Sequence, residues 1–168
     1  MGLLNTSAQA ELQETIYWGI SAAQVTYEDD LTGIEGEPSA LAFRIGGYLD
    51  GGLAIETRLG FGLDGYGDTV DDGIGNDVNF DVENFFGLYG LYHIGWGSNA
   101  SLYGLLGVTN GEIKLEAPAL GLSSDERETS LSYGIGLNIA NFNFEYTQYI
   151  HTADYDVTAI SIGFVTKF

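Results

Sequence analysis

Four charged residues, Arg44, Glu56, Arg58 and Glu145, have the spacing that best suggests chemistry. Each lies in a segment where polar and apolar residues alternate, so all four should project from the same side of a sheet. Two arginines balance two glutamates, and charges removed from water must be paired to be tolerated. We predict that they form a salt-bridge network in a shared interior. The alternative is a narrow path for ions or small solutes that the same pairs obstruct.

A second candidate group is acidic and lies between two strand-like segments, at Asp68, Asp71, Asp72 and Asp77. Calcium and magnesium bind several carboxylate and carbonyl oxygens. The segment does not match the EF-hand calcium-binding loop, however. Val70 stands where that loop needs an oxygen ligand, and no glutamate follows that could bind the ion with both carboxylate oxygens at the end of the loop. We therefore predict solvated loops that hold Ca²⁺ or Mg²⁺ weakly at most, and no other cofactor.

The only histidines, His93 and His151, fall near opposite ends of the predicted strands and cannot share a metal ion. One combination suggests a surface hydrolase or acyltransferase, namely His151 with Asp154 or Asp156 and a serine such as Ser123. A catalytic triad needs a defined hydrogen-bond order, and no motif around His151 supplies it. We predict no enzyme activity, and a lipid-modifying enzyme stays an alternative.

Composition excludes several classes of protein. The formal charge is −19, from 24 acidic and 5 basic residues, so a nucleic-acid-binding face is not expected. Cysteine is absent, which excludes disulfides and thiolate metal sites. Glycine occurs 25 times and proline twice, a balance typical of many strands joined by turns.

Period-two alternation is the main structural signal. Apolar residues alternate from Leu41 to Leu49, the glycine-rich turn Asp50-Gly51-Gly52 follows, and alternation resumes at Leu53, so Leu49 and Leu53 should pair. The turn Ala140-Asn141 should likewise pair Ile139 with Phe142. The polar face of these strands is rich in glycine, which weakens a solvated exterior but suits a crowded interior.

The pattern is therefore inside-out, with the large apolar residues facing lipid. The predicted lipid-facing residues are Leu41, Phe43, Ile45, Leu53, Ile55, Leu59, Phe61, Leu131, Tyr133, Ile135, Leu137, Phe142, Phe144, Tyr146, Ile160, Ile162, Phe164 and Phe168. The alternative, a soluble ligand-binding barrel, requires the same residues to face inward.

We predict an all-β fold, an eight-stranded antiparallel up-and-down transmembrane β-barrel over residues 14–168. Short connections at 50–52, 95–98 and 140–141 alternate with long ones at about 28–38, 64–78 and 115–127 and a brief fourth near 154–156, as expected for the two sides of an outer-membrane barrel. The predicted strands are 15–27, 39–49, 53–63, 79–94, 99–114, 128–139, 142–153 and 157–168. The faces of the first, fourth and fifth strands are not assigned.

The C-terminal segment carries a family resemblance. Ser161, Gly163, Thr166 and the terminal Phe168 resemble the signal that the outer-membrane assembly machinery reads. With eight strands, the chain resembles the small outer-membrane β-barrels, such as the transmembrane domain of outer membrane protein A, outer membrane protein X and the attachment-invasion barrels. The resemblance implies a non-enzymatic role in a Gram-negative outer membrane, in envelope integrity, cation-bridged lipopolysaccharide contact or adhesion. A lipid-A-modifying enzyme and a small-solute channel are the alternatives.

The remaining expectations concern the N-terminus and the partners. Residues 1–13 should be flexible, and Ala8-Gln9-Ala10 is similar to a signal-peptide cleavage site, which indicates a remnant up to about residue 10. The expected partners are outer-membrane lipid, lipopolysaccharide and the assembly machinery, with no nucleic acid. We expect a monomer.

Overall fold

The computed structural model describes residues 16–29, 35–63, 68–71, 77–96, 99–117, 122–151 and 155–167. No helix in these ranges is long and apolar enough to cross a membrane. The strands are β1 (Ile16–Asp29), β2 (Glu35–Gly36), β3 (Ser39–Tyr48), β4 (Leu53–Gly62), β5 (Asp68–Asp71), β6 (Asp77–Trp96), β7 (Ala100–Ala117), β8 (Leu122–Ile139), β9 (Phe142–His151) and β10 (Tyr155–Lys167).

Eight of these strands form a closed barrel in which each pairs antiparallel with its neighbours along the chain. The barrel closes because β1 pairs with β10 over the whole length from Tyr17 opposite Lys167 to Asp29 opposite Tyr155. The short β2 and β5 only extend β1 and β6. The predicted eight-stranded up-and-down architecture is confirmed.

Two tight turns set the registers that the sequence predicts. The Leu49 N–H donates to the Leu53 carbonyl oxygen at 2.7 Å, and Gly51 and Gly52 between them have φ of 75° and 85°. Such positive values favour glycine, which has no Cβ to clash with the backbone. Ile139 pairs with Phe142 across the second turn.

The large apolar residues lie on the outside of the barrel. Fifteen of the eighteen predicted lipid-facing side chains are between 41% and 68% exposed, from Phe164 to Ile160. Leu41 and Leu137 are partly exposed on the same face, and Phe168 lies outside the described residues. This is the reverse of the orientation that a soluble ligand-binding barrel requires.

The structure also assigns the faces that the sequence left open. Tyr17 on β1, Tyr89 and Leu91 on β6, and Tyr103 and Leu105 on β7 point into the barrel. Large apolar residues such as Leu88, Tyr92, Leu102 and Leu106 lie outward between them, so both faces of β6 and β7 carry large apolar residues and alternation in hydropathy is hidden.

β6, β7 and β8 are longer than predicted by two to six residues, and the predicted loop at 115–127 is too long. β7 continues to Ala117 and β8 begins at Leu122, paired residue by residue. The predicted loop at 64–78 likewise contains β5 and the start of β6. The residues from Ser123 to Arg127 are all polar and the segment at 64–78 is rich in aspartate and glycine, so hydropathy gives no sign of strand there, although the backbone ladder continues. The barrel thus has a short-turn end, at 50–52 and 140–141, and a long-strand end where β6, β7 and β8 extend.

Candidate functional site in the barrel lumen

The four predicted charged residues come together at one level of the lumen. Arg44 lies on β3, Glu56 and Arg58 lie on β4, and Glu145 lies on β9 across the barrel. Each is at most 5% exposed, because alternation on a closed sheet points all four inward. We call these four residues the lumen network.

Arg58 is the centre of the lumen network. Its Nη1 and Nη2 donate to Oε1 and Oε2 of Glu145 at 2.5 and 2.8 Å, and its Nε donates to Glu56 Oε1 at 2.6 Å. Its guanidinium also lies 4.7 Å from the ring centroid of Tyr89. A bidentate arginine–carboxylate pair is among the stronger hydrogen-bonded contacts, so Arg58 cross-links opposite walls of the barrel.

Neutral donors satisfy the remaining carboxylate oxygens. Tyr17 Oη donates to Glu56 Oε2 at 2.8 Å. Tyr103 Oη and Thr147 Oγ1 donate to Glu145 at 2.5 and 2.7 Å. These donors reduce the cost of burying the two carboxylates, which is large for unpaired charges.

Arg44 is held more loosely. Its Nη1 lies 3.8 Å from Glu56 Oε1 and 3.6 Å from Glu145 Oε2, beyond hydrogen-bond distance. Its Nε and the Nε2 of His93 are buried without a hydrogen-bond partner in the described part of the chain. Both residues line a cavity of about 10 Å³ on the short-turn side of the lumen network, which has room for about one water molecule.

Inward glycines leave space for the aromatic rings that pack in the lumen. At several positions an inward glycine pairs directly with an inward aromatic residue on the next strand. A Cβ on these glycines would collide with the ring or with the neighbouring backbone. The pairs are Tyr17 with Gly46, Phe85 with Gly60, Tyr89 with Gly107, and Tyr103 with Gly136.

An apolar layer closes the lumen on the long-strand side of the lumen network. Phe85 and Tyr149 pack with ring centroids 5.2 Å apart. Other buried members of the layer are Val25, Tyr27, Ala40, Ile150, Val157 and Ala159. The charged and apolar layers therefore lie in series along the lumen.

The structure places His151 beside Asp156 on the outer surface, with 2.5 Å between Nδ1 and Oδ1. Ser130 Oγ accepts a hydrogen bond from the backbone N–H of His151 at 3.3 Å, so this serine contacts the main chain. Asp154 lies outside the described residues, and Ser123 is described only as part of β8. Within the described residues these contacts form a His–Asp pair, and no serine hydroxyl is placed on the imidazole as a triad requires.

The predicted cation ligands are only partly described. Asp68 and Asp71 lie on β5, and Asp71 stands opposite Asp77 of β6. Asp72 lies outside the described residues. Within the described ranges, no group of three or more histidine, cysteine, aspartate or glutamate residues could hold a metal ion. Weak Ca²⁺ or Mg²⁺ binding stays a prediction.

The closed barrel and its apolar exterior correspond to a known family. The model for the outer membrane protein beta-barrel domain matches residues 1–168. The chain belongs to this family. No curated protein sequence matches the chain.

Solved structures of other outer-membrane barrels share the fold. The attachment invasion locus protein Ail of Yersinia pestis, solved with the heparin analogue sucrose octasulfate, is 21% identical with a TM-score of 0.61; the match covers 92% of this chain and 97% of Ail. Neisserial surface protein A is 16% identical with a TM-score of 0.63, over 91% and 97% of the two chains. The N-terminal barrel of Pseudomonas aeruginosa OprF is 17% identical with a TM-score of 0.57, over 92% and 100%.

Proposed function

We propose that this protein is a non-enzymatic, non-conducting barrel of the Gram-negative outer membrane that stabilises the envelope and presents an acidic sheet to the exterior. The two buried layers in series along the lumen are the observation that carries the proposal. Arg58 bridges β4 and β9 across the interior, and the apolar layer stands in series with it. A barrel sealed in this way is suited to acting through its outer surface.

The absence of conductance is the first expected result. The purified full-length protein in a planar lipid bilayer should show no unitary current steps, because water has no continuous path past the two layers. If a current appears only in the Arg58→Ala variant, the bidentate pair between Arg58 and Glu145 is what blocks the lumen. Steps in the unmodified protein that persist in Arg58→Ala would instead support the channel alternative.

The long-strand end supplies the proposed contact surface. β6, β7 and β8 extend there as a sheet, and most of the acidic residues lie in or beside the connections at this end. Surface acidic groups and lipopolysaccharide phosphates repel one another unless a divalent cation bridges them. We therefore propose that Mg²⁺ or Ca²⁺ couples this sheet to neighbouring lipopolysaccharide.

A deletion strain tests the envelope role. Loss of the protein should increase sensitivity to a chelator and to detergent, and the unmodified gene should restore resistance. A gene carrying Asp68, Asp71, Asp72 and Asp77 all changed to asparagine should restore less resistance at equal surface abundance. Equal rescue by both genes would reject the cation-bridged contact, and unchanged resistance on deletion would reject the envelope role itself.

Polyanion binding should differ from that of Ail, which was solved with a heparin analogue. Arg44 and Arg58 are buried, Arg127 is paired with Glu112, and Lys167 lies 4.9 Å from the ring centroid of Tyr48. The remaining cation, Lys114, stands opposite both Asp81 and Asp125.

The purified protein should therefore not be retained on immobilised heparin at about 0.15 M salt, where screening leaves a net charge of −19 still repulsive. Retention that increases as salt is lowered would contradict this expectation.

A further inference from the structure

A groove in the outer wall runs along β1 towards the long-strand end. Most outward residues of the wall are large, but those of this part of β1 and its neighbour β3 are small or polar. The groove has a volume of about 580 Å³, within the range of roughly 300–1,000 Å³ found for small-molecule sites. Its floor is formed by Ala22, Gln24, Thr26 and Ser39, and one wall by Ile160 and Ile162.

The groove has a polar end and an apolar end. Ala22 stands between Leu41 and Ile162, in the apolar belt of the barrel. Nearer the long-strand end, Gln24 Nε2 donates to Glu37 Oε2 at 2.8 Å on the exposed surface. This hydrogen bond orients the Gln24 amide, and its Oε1 is then an exposed acceptor for an N–H or O–H group.

A second groove of similar size makes a useful comparison. It lies between β6, β7 and β8, has a volume of about 590 Å³, and is lined by apolar residues and by outward glycines such as Gly90 and Gly104. It lies nearer the short-turn end, and among its lining residues only Tyr92 offers a polar side-chain group, because the Tyr103 hydroxyl points into the lumen and donates to Glu145. Such a groove offers only hydrocarbon contact, so the polar end distinguishes the groove along β1.

We propose that the groove along β1 binds one acyl chain of lipid A, with Gln24 accepting a hydrogen bond from an amide or hydroxyl group of the lipid. The inference rests on the outer-membrane placement proposed above, because the apolar rim is then surrounded by lipid. The chain lies over Ala22 along the two isoleucines of β10, and the sugar end lies at Gln24 and Glu37. A specific protein interface buries about 800 Å² on each partner, more than this groove offers, whereas a volume of about 580 Å³ has room for a single hydrocarbon chain.

Native mass spectrometry of the full chain in detergent, titrated with lipid A and with phosphatidylcholine, tests the site. Ala22→Phe fills the floor and should weaken lipid A binding about tenfold, as expected for the loss of roughly two methylene contacts. Gly104→Phe adds the same ring in the other groove, where a Cβ meets only one atom, at 4.0 Å, and should leave lipid A binding unchanged.

The polar end is tested separately. Gln24→Leu should reduce the preference for lipid A over phosphatidylcholine while binding of the acyl chain persists. Equal loss in Ala22→Phe and Gly104→Phe, or equal affinity for the two lipids in the unmodified protein, would overturn the proposal. The gel shift between unheated and boiled samples reports barrel formation in each variant. An unmodified protein that shows a normal shift but no preference for lipid A therefore rejects the groove and leaves the outer-membrane placement standing.

Discussion

Replacing Glu145 by alanine is expected to lower the free energy of unfolding by about 3–5 kcal/mol, the cost of leaving a buried charge without its partner. Arg58 loses both hydrogen bonds of its bidentate pair, and the Tyr103 and Thr147 hydroxyls lose their shared acceptor. Arg44 also loses a carboxylate at 3.6 Å. Urea titration of the folded barrel in lipid vesicles, followed by tryptophan fluorescence, measures the change.

Two further variants separate this effect from a general loss of charge. Glu83→Ala removes an exposed carboxylate from β6 and should change stability by no more than about 0.5 kcal/mol. The double variant Arg58→Met with Glu145→Leu replaces both charges by apolar side chains and should recover much of the loss. If Glu145→Ala and Glu83→Ala are equally stable, the lumen network contributes nothing to folding.

The predictable part of the fold lies where the two faces of a strand differ. In β3, β4, β8, β9 and β10 the outward face is large and apolar and the inward face is mostly small or polar, so the alternation along the strand alone fixes the orientation. In β6 the inward Tyr89 and Leu91 alternate with the outward Leu88 and Tyr92, and alternation carries no signal. From Ser123 to Ser130 of β8 every residue is polar, so alternation is lost there and the predicted loop at 115–127 is too long.

The sequence predicts which charged residues line the lumen, but it does not predict which of them contact one another. The alternation along each strand placed Arg44, Glu56, Arg58 and Glu145 on one face. The equal numbers of arginines and glutamates suggested that they form ion pairs. The bidentate bond joins residues 87 positions apart on strands that are not neighbours, so no register between adjacent strands could indicate it. Tyr17 and Tyr103 were missed as donors because their strands had no assigned face. An inward glycine directly opposite each of them was the available signal.

Adding a methyl group at Gly60 is expected to destabilise the barrel by about 1–3 kcal/mol, the usual cost of overpacking a full interior. Gly60 pairs with Phe85, and a Cβ at this position would overlap the phenylalanine ring. Phe85 packs on Tyr149 in the apolar layer, so the ring cannot move without opening that layer. Chemical unfolding of Gly60→Ala in vesicles measures the cost.

A double-mutant cycle identifies the ring as the cause. In a Phe85→Ala background the space beside Gly60 is free, so Gly60→Ala should cost little there, with a coupling energy of about 0.5–3 kcal/mol. Gly47→Ala on neighbouring β3 is the matched control, because its Cβ would meet no atom within 4 Å. It should be neutral or stabilise by up to about 1 kcal/mol, since glycine weakens a strand interior. If Gly60→Ala resembles Gly47→Ala, ring packing does not explain the inward glycines, and the lumen is looser than a plug requires.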